Sequence, residues 1–597
     1  MTNPDDRKAG SKSSYNMFLL MVAGLGGLLY GVDVGIIGGA LPYLQATSHL
    51  DNAQISIIVA AVLLGSVFST LFAGIIADWI GRKPFMVLSG IAFVISIPVI
   101  ALSQGYMPLF LGRLLQGTSG GFIGVVVPLY LAECLPAQRR GKGTGIFQWM
   151  LTLGIFAAAL VGIYYSYRVA DVTKLGDAKA LFDFQNQAWR RIFWVSLPPG
   201  VLFVLGSLMV GESPRWLFRR GKLEKAKAAL LRSRTPEQAA LEMREMEEPA
   251  RIERVRRGMG EVVNDSLLQR KYIVPFLLAC VILFCNTATG INSLIGFNTA
   301  ILLQSGLSDL QAHWGYVIFT AFNFVMTMIG VMLVDRKGRK FLLVLGTGGI
   351  IVSLVTVGGM FLGNERKSID CHSLIQQAVG TGDSLTVHFT PEEAQKLLQG
   401  SGYKGDAIQA GHASFAVIYS YGGFTATTSY VRSDNPGAAA LQITRESAVP
   451  SNKVEAFFQD PFANLQAART APLRIEKAIM GPVPDVHHGW LIALGLYAFV
   501  SFYAMGPGVC VWLALSELMP TRIRSNGMSI ALVINQLVST TLAAIFLPFV
   551  SKYGYSSIFF LFAGFTVAYF LTAAFLLPET KGKTLEEIEA HFEGARA

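Results

Sequence analysis

Apolar runs of about twenty residues recur along this chain and constrain its fold more than any other feature. An α-helix needs a run of that length to cross the hydrocarbon core of a bilayer. Composition agrees, because 52% of the 597 residues are hydrophobic and only 15% are charged, whereas soluble domains carry about a quarter charged residues. The sequence therefore predicts an all-α membrane protein.

The runs number twelve, six on each side of a charged central stretch. Helices are predicted over 16–41, 54–77, 85–103, 107–131, 143–165 and 191–210, and then over 272–303, 312–334, 341–362, 489–514, 526–550 and 555–577. The first run is too long for the apolar core of a cleavable signal peptide, so we interpret it as the first span.

Two hexapeptides of the form D-x-x-G-R-K, at 78–83 and 335–340, each follow an apolar run and lie 257 residues apart. The same charged motif in the same structural place indicates two related halves. A second pair of motifs, E-x₆-R at 133–140 and 517–524, lies 384 residues apart. The difference of 127 residues predicts an extra segment in the second half only.

Basic residues suggest the orientation, because Lys and Arg concentrate in cytoplasmic loops. They occupy 78–84, 132–142, 212–271, 335–340 and 518–525, so both termini are predicted to be cytoplasmic. The predicted organisation is a cytoplasmic N-terminus (1–15), a six-helix bundle (16–210), cytoplasmic linker helices (211–271), helices 7–9 (272–362), a large extracytoplasmic insertion between helices 9 and 10 (363–488), helices 10–12 (489–577) and a cytoplasmic C-terminus (578–597). The insertion has enough apolar residues to favour a folded domain over a tether.

Charge and cysteine content exclude other classes. The net charge of +10 is compatible with nucleic acid, but basic loops between apolar helices explain it better. The five cysteines show no paired spacing. The insertion and its far edge contain five histidines without the spacing of a zinc site or catalytic triad: His372, His388, His412, His487 and His488. No metal, disulfide framework or enzymatic activity is predicted.

The ordered motifs resemble the sugar porter family of the major facilitator superfamily over essentially every span outside the insertion. They are Gly112-Arg-Leu-Leu-Gln-Gly117, Pro128-x-Tyr130-x-x-Glu133, Glu212-Ser-Pro-Arg-Trp-Leu217, Gly290-Ile-Asn292, Gly506-Pro-Gly508 with Trp512 and Glu517, and Pro578-Glu-Thr-Lys-Gly-Lys583. The resemblance implies the major facilitator fold of two six-helix bundles and a monomer that imports a sugar or polyol by alternating access.

Asp33 lies within the first predicted span, where a carboxylate costs about 2.5–3.5 kcal/mol to insert and usually has a partner and a function. The resemblance implies that Asp33 and Arg113 form the proton-coupling pair, with the proton as coupling ion and no other cofactor. A static buried salt bridge is the alternative. The position of a second acid in xylose-type relatives is Ser196 here, which weakens the case for a proton relay.

The substrate site is expected between the bundles near the membrane midplane. Amide and aromatic side chains suit a sugar, because amides both donate and accept hydrogen bonds. Matching positions are Tyr30, Gln148, Asn286, Asn292, Asn323, Gly508, Trp512, Asn535 and Gln536. Amides that bond helices together are the alternative interpretation. Asn286-Thr287, Gly296-Phe297 and Gln536 depart from the family's usual residues, so a different hexose, a pentose or a polyol such as inositol remains open.

Paired acids and arginines at the cytoplasmic helix ends are expected to hold the bundles closed on the inside and to separate when that side opens. By resemblance these residues are Asp78, Arg82, Glu133, Arg140, Asp335, Arg339, Glu517 and Arg524. Simple interfacial anchoring is the alternative.

The preferred function is a proton-coupled sugar or polyol symporter in a cell membrane, with a bacterial inner membrane as the expected location. A facilitative uniporter is the first alternative. A non-transporting sugar sensor is the second, and the short C-terminal segment after the last run disfavours it, because such sensors usually carry long cytoplasmic tails.

Overall fold

The computed structural model describes residues 4–579 and 592, except 49, 136, 259–268, 381, 429, 435–439, 451–452, 454–455, 457–462 and 520–522. At 4–13, 137–144, 248–258, 271, 335, 512–517 and 524–526 it describes the backbone alone. Twelve helical spans in the described part are long and apolar enough to cross a membrane. The prediction of a helical membrane protein with twelve spans is therefore confirmed.

The first half consists of α1 (Pro4–Thr47), α2 (Asn52–Ile80), α3 (Arg82–Ala101), α4 (Tyr106–Cys134), α5 (Ala137–Thr173), α6 (Ala178–Trp194) and α7 (Leu197–Met209). Small residues let α1 pack closely against α5, as is usual between membrane helices. A Cβ on Gly31 would lie 1.9 Å from the carbonyl oxygen of Leu151, and one on Gly154 would lie 2.3 Å from that of Leu28.

The fifth and sixth spans are longer than predicted. The apolar runs at 143–165 and 191–210 cover only the most hydrophobic parts of these two spans. The helix of the fifth span ends at Thr173, and the helix of the sixth span begins at Ala178. Asp177 caps α6 by accepting hydrogen bonds from the backbone of Lys179 and Ala180. Further along α6, Arg190 donates to two carbonyl oxygens at the end of α3. These polar interactions extend the helices beyond their apolar runs.

The central linker contains α8 (Pro214–Arg219), α9 (Leu223–Leu231) and α10 (Pro236–Gly258). The second half then begins with α11 (Arg270–Ala288), α12 (Ile291–Gly296), α13 (Asn298–Gln304), α14 (Asp309–Lys337) and α15 (Arg339–Glu365). The seventh span, predicted as one helix over 272–303, is thus broken twice. The first break lies at Gly290, whose φ of 85° is a left-handed conformation that glycine adopts without strain.

Between α15 and the tenth span the chain forms a separate α+β unit. Its elements are β1 (Ile369–Asp370), α16 (His372–Val379), β2 (Leu385–Val387), α17 (Pro391–Gly400), β3 (Ala413–Tyr421), β4 (Phe424–Thr427), β5 (Val431–Arg432), β6 (Leu441–Ile443), α18 (Leu465–Ala468) and β7 (Leu473–Pro482). One antiparallel sheet has the order β1-β7-β3-β4, with β5 also pairing with β3, and β2 pairs separately with β6. All nine residues of β3 are buried, so this unit has its own core.

The chain returns to the bundle with α19 (Val486–Met505), α20 (Pro507–Leu518), α21 (Arg524–Tyr553) and α22 (Tyr555–Leu571), which continues as a π-helical turn over Thr572–Leu576. The tenth span, predicted as continuous over 489–514, is broken at Gly506. Pro507 cannot donate the helical hydrogen bond at this point. A Cβ on Gly506 would lie 2.5 Å from the carbonyl oxygen of Leu342, so the break also lets α15 approach.

Candidate functional site

The buried pair Asp33 and Arg113 joins α1 to α4. Asp33 is 0% and Arg113 1% exposed, and the nearest nitrogen and oxygen are 3.6 Å apart. The guanidinium also donates to Gln116 at 2.6 Å and lies over the ring of Phe193. Neither carboxylate oxygen of Asp33 accepts a hydrogen bond from the described residues. The structure therefore brings the predicted pair together, but at a separation too long for a hydrogen bond.

The surroundings of Asp33 explain how a carboxylate fits inside the bundle. A Cβ on Gly120 of α4 would lie 2.8 Å from the Asp33 carboxylate, so this glycine makes room for it. Ser196 is also fully buried, and its hydroxyl has no hydrogen-bond partner among the described residues.

Tyr30 and Gln536 meet across the two halves. The Tyr30 hydroxyl lies beside the side chains of Ser66 of α2 and Gln536 of α21. In the second half, the Asn292 amide donates to Ser539 at 2.7 Å. Three of the predicted substrate residues are thus placed with polar partners that a hydroxylated ligand could replace.

The other predicted substrate residues are placed differently. The Asn286 amide lies 3.4 Å from the Tyr503 hydroxyl, whereas the Asn535 amide donates at 2.9 Å to the carbonyl of Leu283 and so bonds α21 to α11. Asn323 on α14 is buried, and Gln148 on α5 and Gly508 on α20 are partly exposed. The side chain of Trp512 lies outside the described residues.

The predicted gate residues of the first half form a compact charged cluster. Glu133 of α4 binds Arg82 through two hydrogen bonds of 2.9 and 3.0 Å, and it also accepts from Arg219 of α8 at 2.9 Å. Asp78 lies 2.8 Å from Arg82 and 3.6 Å from Arg219. Ser213 also donates to Glu133. All these residues belong to the first half and its linker.

In the conformation seen here the described members of this cluster lie within the first half and its linker, and their role in holding the two halves closed on the inside stays a prediction. Its described members tie α2, α3, α4 and α8 together, because Arg82 begins α3 and α8 follows the last span of the same half. The side chains of Arg140, Asp335, Glu517 and Arg524 lie outside the described residues.

Two acids that sequence reasoning did not assign to the gate complete the D-x-x-G-R-K motifs. Glu212 accepts backbone hydrogen bonds from Arg82 at 3.1 Å and Lys83 at 3.2 Å. In the second half, Glu579 accepts from Arg339 and Lys340, both at 3.2 Å. Each acid thus caps the helix that begins at the motif arginine, where the helix dipole favours a negative charge. The signal was present in the sequence, because an acid follows both the sixth and the twelfth span.

The glycine of each motif makes room for this carboxylate. Gly81 has a φ of 106° and Gly338 a φ of 92°. A Cβ would lie 2.4 Å from the Glu212 carboxylate at the first position and 2.6 Å from that of Glu579 at the second. Burial raises the pKa of Glu212, while backbone hydrogen bonds from Ser213, Lys83 and Arg82 oppose the shift.

Hydrogen bonds between the two halves occur at the opposite end, where α1 ends and α2 begins. Asn52 donates to Ser551 at 3.2 Å, and the Ser56 hydroxyl accepts from the backbone of Leu547 at 3.1 Å. The insertion contacts this end as well, because the Asn52 amide also lies 3.4 Å from the carbonyl of Thr428. The molecule is closed at this end.

The comparisons with known proteins agree with this architecture. The family model for "Sugar (and other) transporter" matches residues 19–380 and 477–592. The human "Proton myo-inositol cotransporter" is 26% identical over 575 residues, which is 95% of this chain and 80% of that protein. The "Glucose transporter GlcP" of Staphylococcus epidermidis is 31% identical over 57% of this chain and 71% of its own length.

Solved structures show the same fold. The inward-open conformation of the xylose transporter XylE from E. coli superposes with a TM-score of 0.61 at 21% identity, covering 96% of this chain and 99% of that one. The family-model match covers well over half of the chain, and members of this family are transporters rather than enzymes. The chain therefore belongs to the sugar porter family of the major facilitator superfamily.

Proposed function

We propose that this protein imports a sugar or polyol by proton symport through alternating access. The observation that carries the proposal is Asp33, a fully buried carboxylate whose only ionic partner among the described residues lies 3.6 Å away. Removing a charge from water in this way is expensive unless hydrogen bonds compensate it. A carboxylate that is buried without such hydrogen bonds readily takes up a proton and becomes neutral.

A comparison within the same bundle supports a functional rather than a structural pair. Arg82 and Glu133 are equally enclosed, yet they form two short, parallel hydrogen bonds, which is the geometry of a strong bridge. Asp33 and Arg113 have no such bond. Protonation of Asp33 would remove its charge attraction to Arg113, and Arg113 would keep only its hydrogen bond to Gln116. The packing of α1 against α4 would then change.

The substrate class is proposed from the relatives and the polar residues between the halves. Four proteins aligned over 95% or more of this chain have inositol transport in their names, one human and three from Arabidopsis thaliana. The glucose transporter aligns over 57% of it. Tyr30, Asn292 and Gln536 offer donors and acceptors to a ring of hydroxyls. We therefore favour a cyclic polyol of the inositol type over a hexose.

Uptake into proteoliposomes tests both parts of the proposal. Labelled myo-inositol, glucose and xylose are supplied with and without an inward proton gradient, and accumulation of myo-inositol only with the gradient is expected. Asp33→Asn should abolish accumulation but retain exchange of labelled for unlabelled substrate, because exchange needs no net proton movement. Asp171→Asn, an exposed aspartate on α5, is the control and should behave as wild type.

Full accumulation by Asp33→Asn, or accumulation that ignores the gradient, would refute proton symport. Equilibration without accumulation in the wild-type protein would instead identify a facilitative uniporter. For the substrate site, Tyr30→Phe and Gln536→Ala should raise the KM for the transported compound, and an unchanged KM in both would remove them from the site.

The cellular setting is part of the same proposal. The protein is a multi-pass membrane protein, and its basic loops support cytoplasmic termini. We propose a bacterial inner membrane as its location. We propose that a monomer is the transporting unit. Cysteine accessibility at exposed Ser308 and Lys225 would check the orientation, because the two positions should react from opposite sides of the membrane.

A further inference from the structure

A polar cluster at the closed end joins the second half to the first through α14. Asp309, the first residue of α14, accepts hydrogen bonds from Tyr43 of α1 at 3.0 Å and from Ser166 of α5 at 2.6 Å. His313, one turn later, is 0% exposed, and Tyr43 is 1% exposed. Four side chains from three helices thus meet where the halves are in contact.

The bonding of His313 indicates its protonation state. Its Nδ1 atom lies 2.9 Å from the backbone oxygen of Asp309 and 3.4 Å from the carboxylate of the same residue. Its Nε2 atom lies 3.1 Å from the backbone oxygen of Gly39 on α1. All these oxygens accept hydrogen bonds, whereas a neutral imidazole donates through one nitrogen only. Both bonds can form together only when His313 is an imidazolium.

The close fit around the ring depends on glycines of the first half. A Cβ on Gly162 of α5 would lie 3.4 Å from the His313 ring and 3.0 Å from the Cα of Gly39. Tyr43 stacks on the same ring, with centroids 5.5 Å apart and planes inclined by 10°. Separation of the halves would remove Gly39, Tyr43 and Gly162 from His313 together.

The groups that face the pair come from several helices. Among the described residues, Tyr43 approaches from α1 and Ser166 from α5. Tyr167 of α5 bonds to Trp314, the neighbour of His313, at 3.0 Å. From α13 and α19, Leu302 and Tyr497 pack around Gly315. The carboxylate of Asp309 is the negative charge that compensates the imidazolium.

We propose that His313 is a second proton-binding site of this transporter, and that the proton it binds holds the two halves together at the closed end. Loss of the proton leaves one ring nitrogen facing a carbonyl oxygen without a hydrogen between them, so the closed arrangement loses a bond across the halves. A ligand that binds one conformation better shifts the population toward that conformation. This site is separate from Asp33 and operates in a symporter or a uniporter alike.

The distance between spin labels across the closed end tests this site. Gln104→Cys places a label on an exposed loop of the first half, and Lys552→Cys places one at the exposed end of α21 in the second half. The five native cysteines are buried. The ratio of open to closed molecules should rise between about pH 6 and about pH 9. The rise should be up to about tenfold for each tenfold difference in the proton affinity of His313 between the two conformations. His313→Gln, which cannot carry the charge, should abolish this rise.

Further variants separate the proposal from the symport mechanism. The pH response should persist in Asp33→Asn, which removes the other proposed proton site, and should weaken in Asp309→Asn. Tyr43→Phe keeps both charges and should retain the response. A response that survives His313→Gln, or a flat profile in Asp33→Asn with His313 intact, would overturn the proposal. The second outcome can be measured even if His313→Gln does not fold.

Discussion

Replacing Gly81 with alanine should destabilise the first half of this transporter through one side chain, Glu212. Gly81 lies between α2 and α3 with φ 106° and ψ 161°, a region that essentially only glycine occupies. The new methyl group would lie 2.4 Å from the Glu212 carboxylate. That carboxylate holds the backbone of Arg82, Lys83 and Ser213, so it cannot move without breaking hydrogen bonds.

Two contributions set the expected size of the effect. The backbone conformation costs a residue other than glycine about 1–3 kcal/mol. Displacing the Glu212 carboxylate would break one or more charge-assisted hydrogen bonds, each worth about 1.5–3 kcal/mol. The free energy of unfolding should therefore fall by at least about 2 kcal/mol. Glu212→Ala in the same chain should remove the clash, so the double variant should lose less than the sum of the single variants.

Unfolding of the purified protein can be followed with a thiol-reactive fluorophore, because all five cysteines are buried. Gly74→Ala is the matched control: it lies on α2 with nothing within 4 Å of the new Cβ, and helix propensity predicts no loss of stability. Gly338→Ala should reproduce the defect in the second half. Equal stability of Gly81→Ala and Gly74→Ala would refute this account of the motif.

Three further predictions concern other parts of the molecule. Burial raises the pKa of Asp51 to about 6, so the folded state binds the proton more tightly than the unfolded chain does. The free energy of unfolding should therefore fall as pH rises from about 4 to about 6. Asp51→Asn should flatten this slope when unfolding is measured across the same pH range. Glu133→Gln should lower the free energy of unfolding by up to about 3–5 kcal/mol, because the buried Arg82 guanidinium would keep only the exposed Asp78 as its counter-charge. Asp78→Asn, at a side chain that is 61% exposed, should change it by at most about 1 kcal/mol. Phe389→Ala should destabilise the insertion by about 3–5 kcal/mol, since its ring stacks on Phe415 at 4.9 Å; limited proteolysis of the insertion should report it, and unchanged protection would contradict the proposed core.

Local patterns were sufficient for the scaffold. Twelve apolar runs identified the twelve spans because a bilayer selects for helix length and hydrophobicity, both of which can be read along the chain. They were less informative about helix ends. Polar caps such as Asp177 extend α6 beyond its apolar run, and Gly290 and Gly506 break spans whose hydropathy is continuous. These features depend on backbone conformation and on neighbouring helices.

The candidate site shows the same division. The resemblance to sugar porters paired Asp33 with Arg113, and the structure brings them together. It did not distinguish Asn535, whose amide bonds α21 to α11, from Gln536, which lies beside Tyr30 of the other half. That distinction depends on the direction of each side chain after packing.

The sequence by itself determined the twelve spans, the internal repeat and the family, because all three are patterns of residue type and spacing. Only the tertiary structure decided which charges meet. It showed that Glu133 and Arg82 stay within one half, that Glu212 and Glu579 complete the repeated motif, and that Asp309 and His313 bond across to α1. Ion pairs form between residues far apart in the chain, so their partners follow from helix packing and conformation rather than from local sequence.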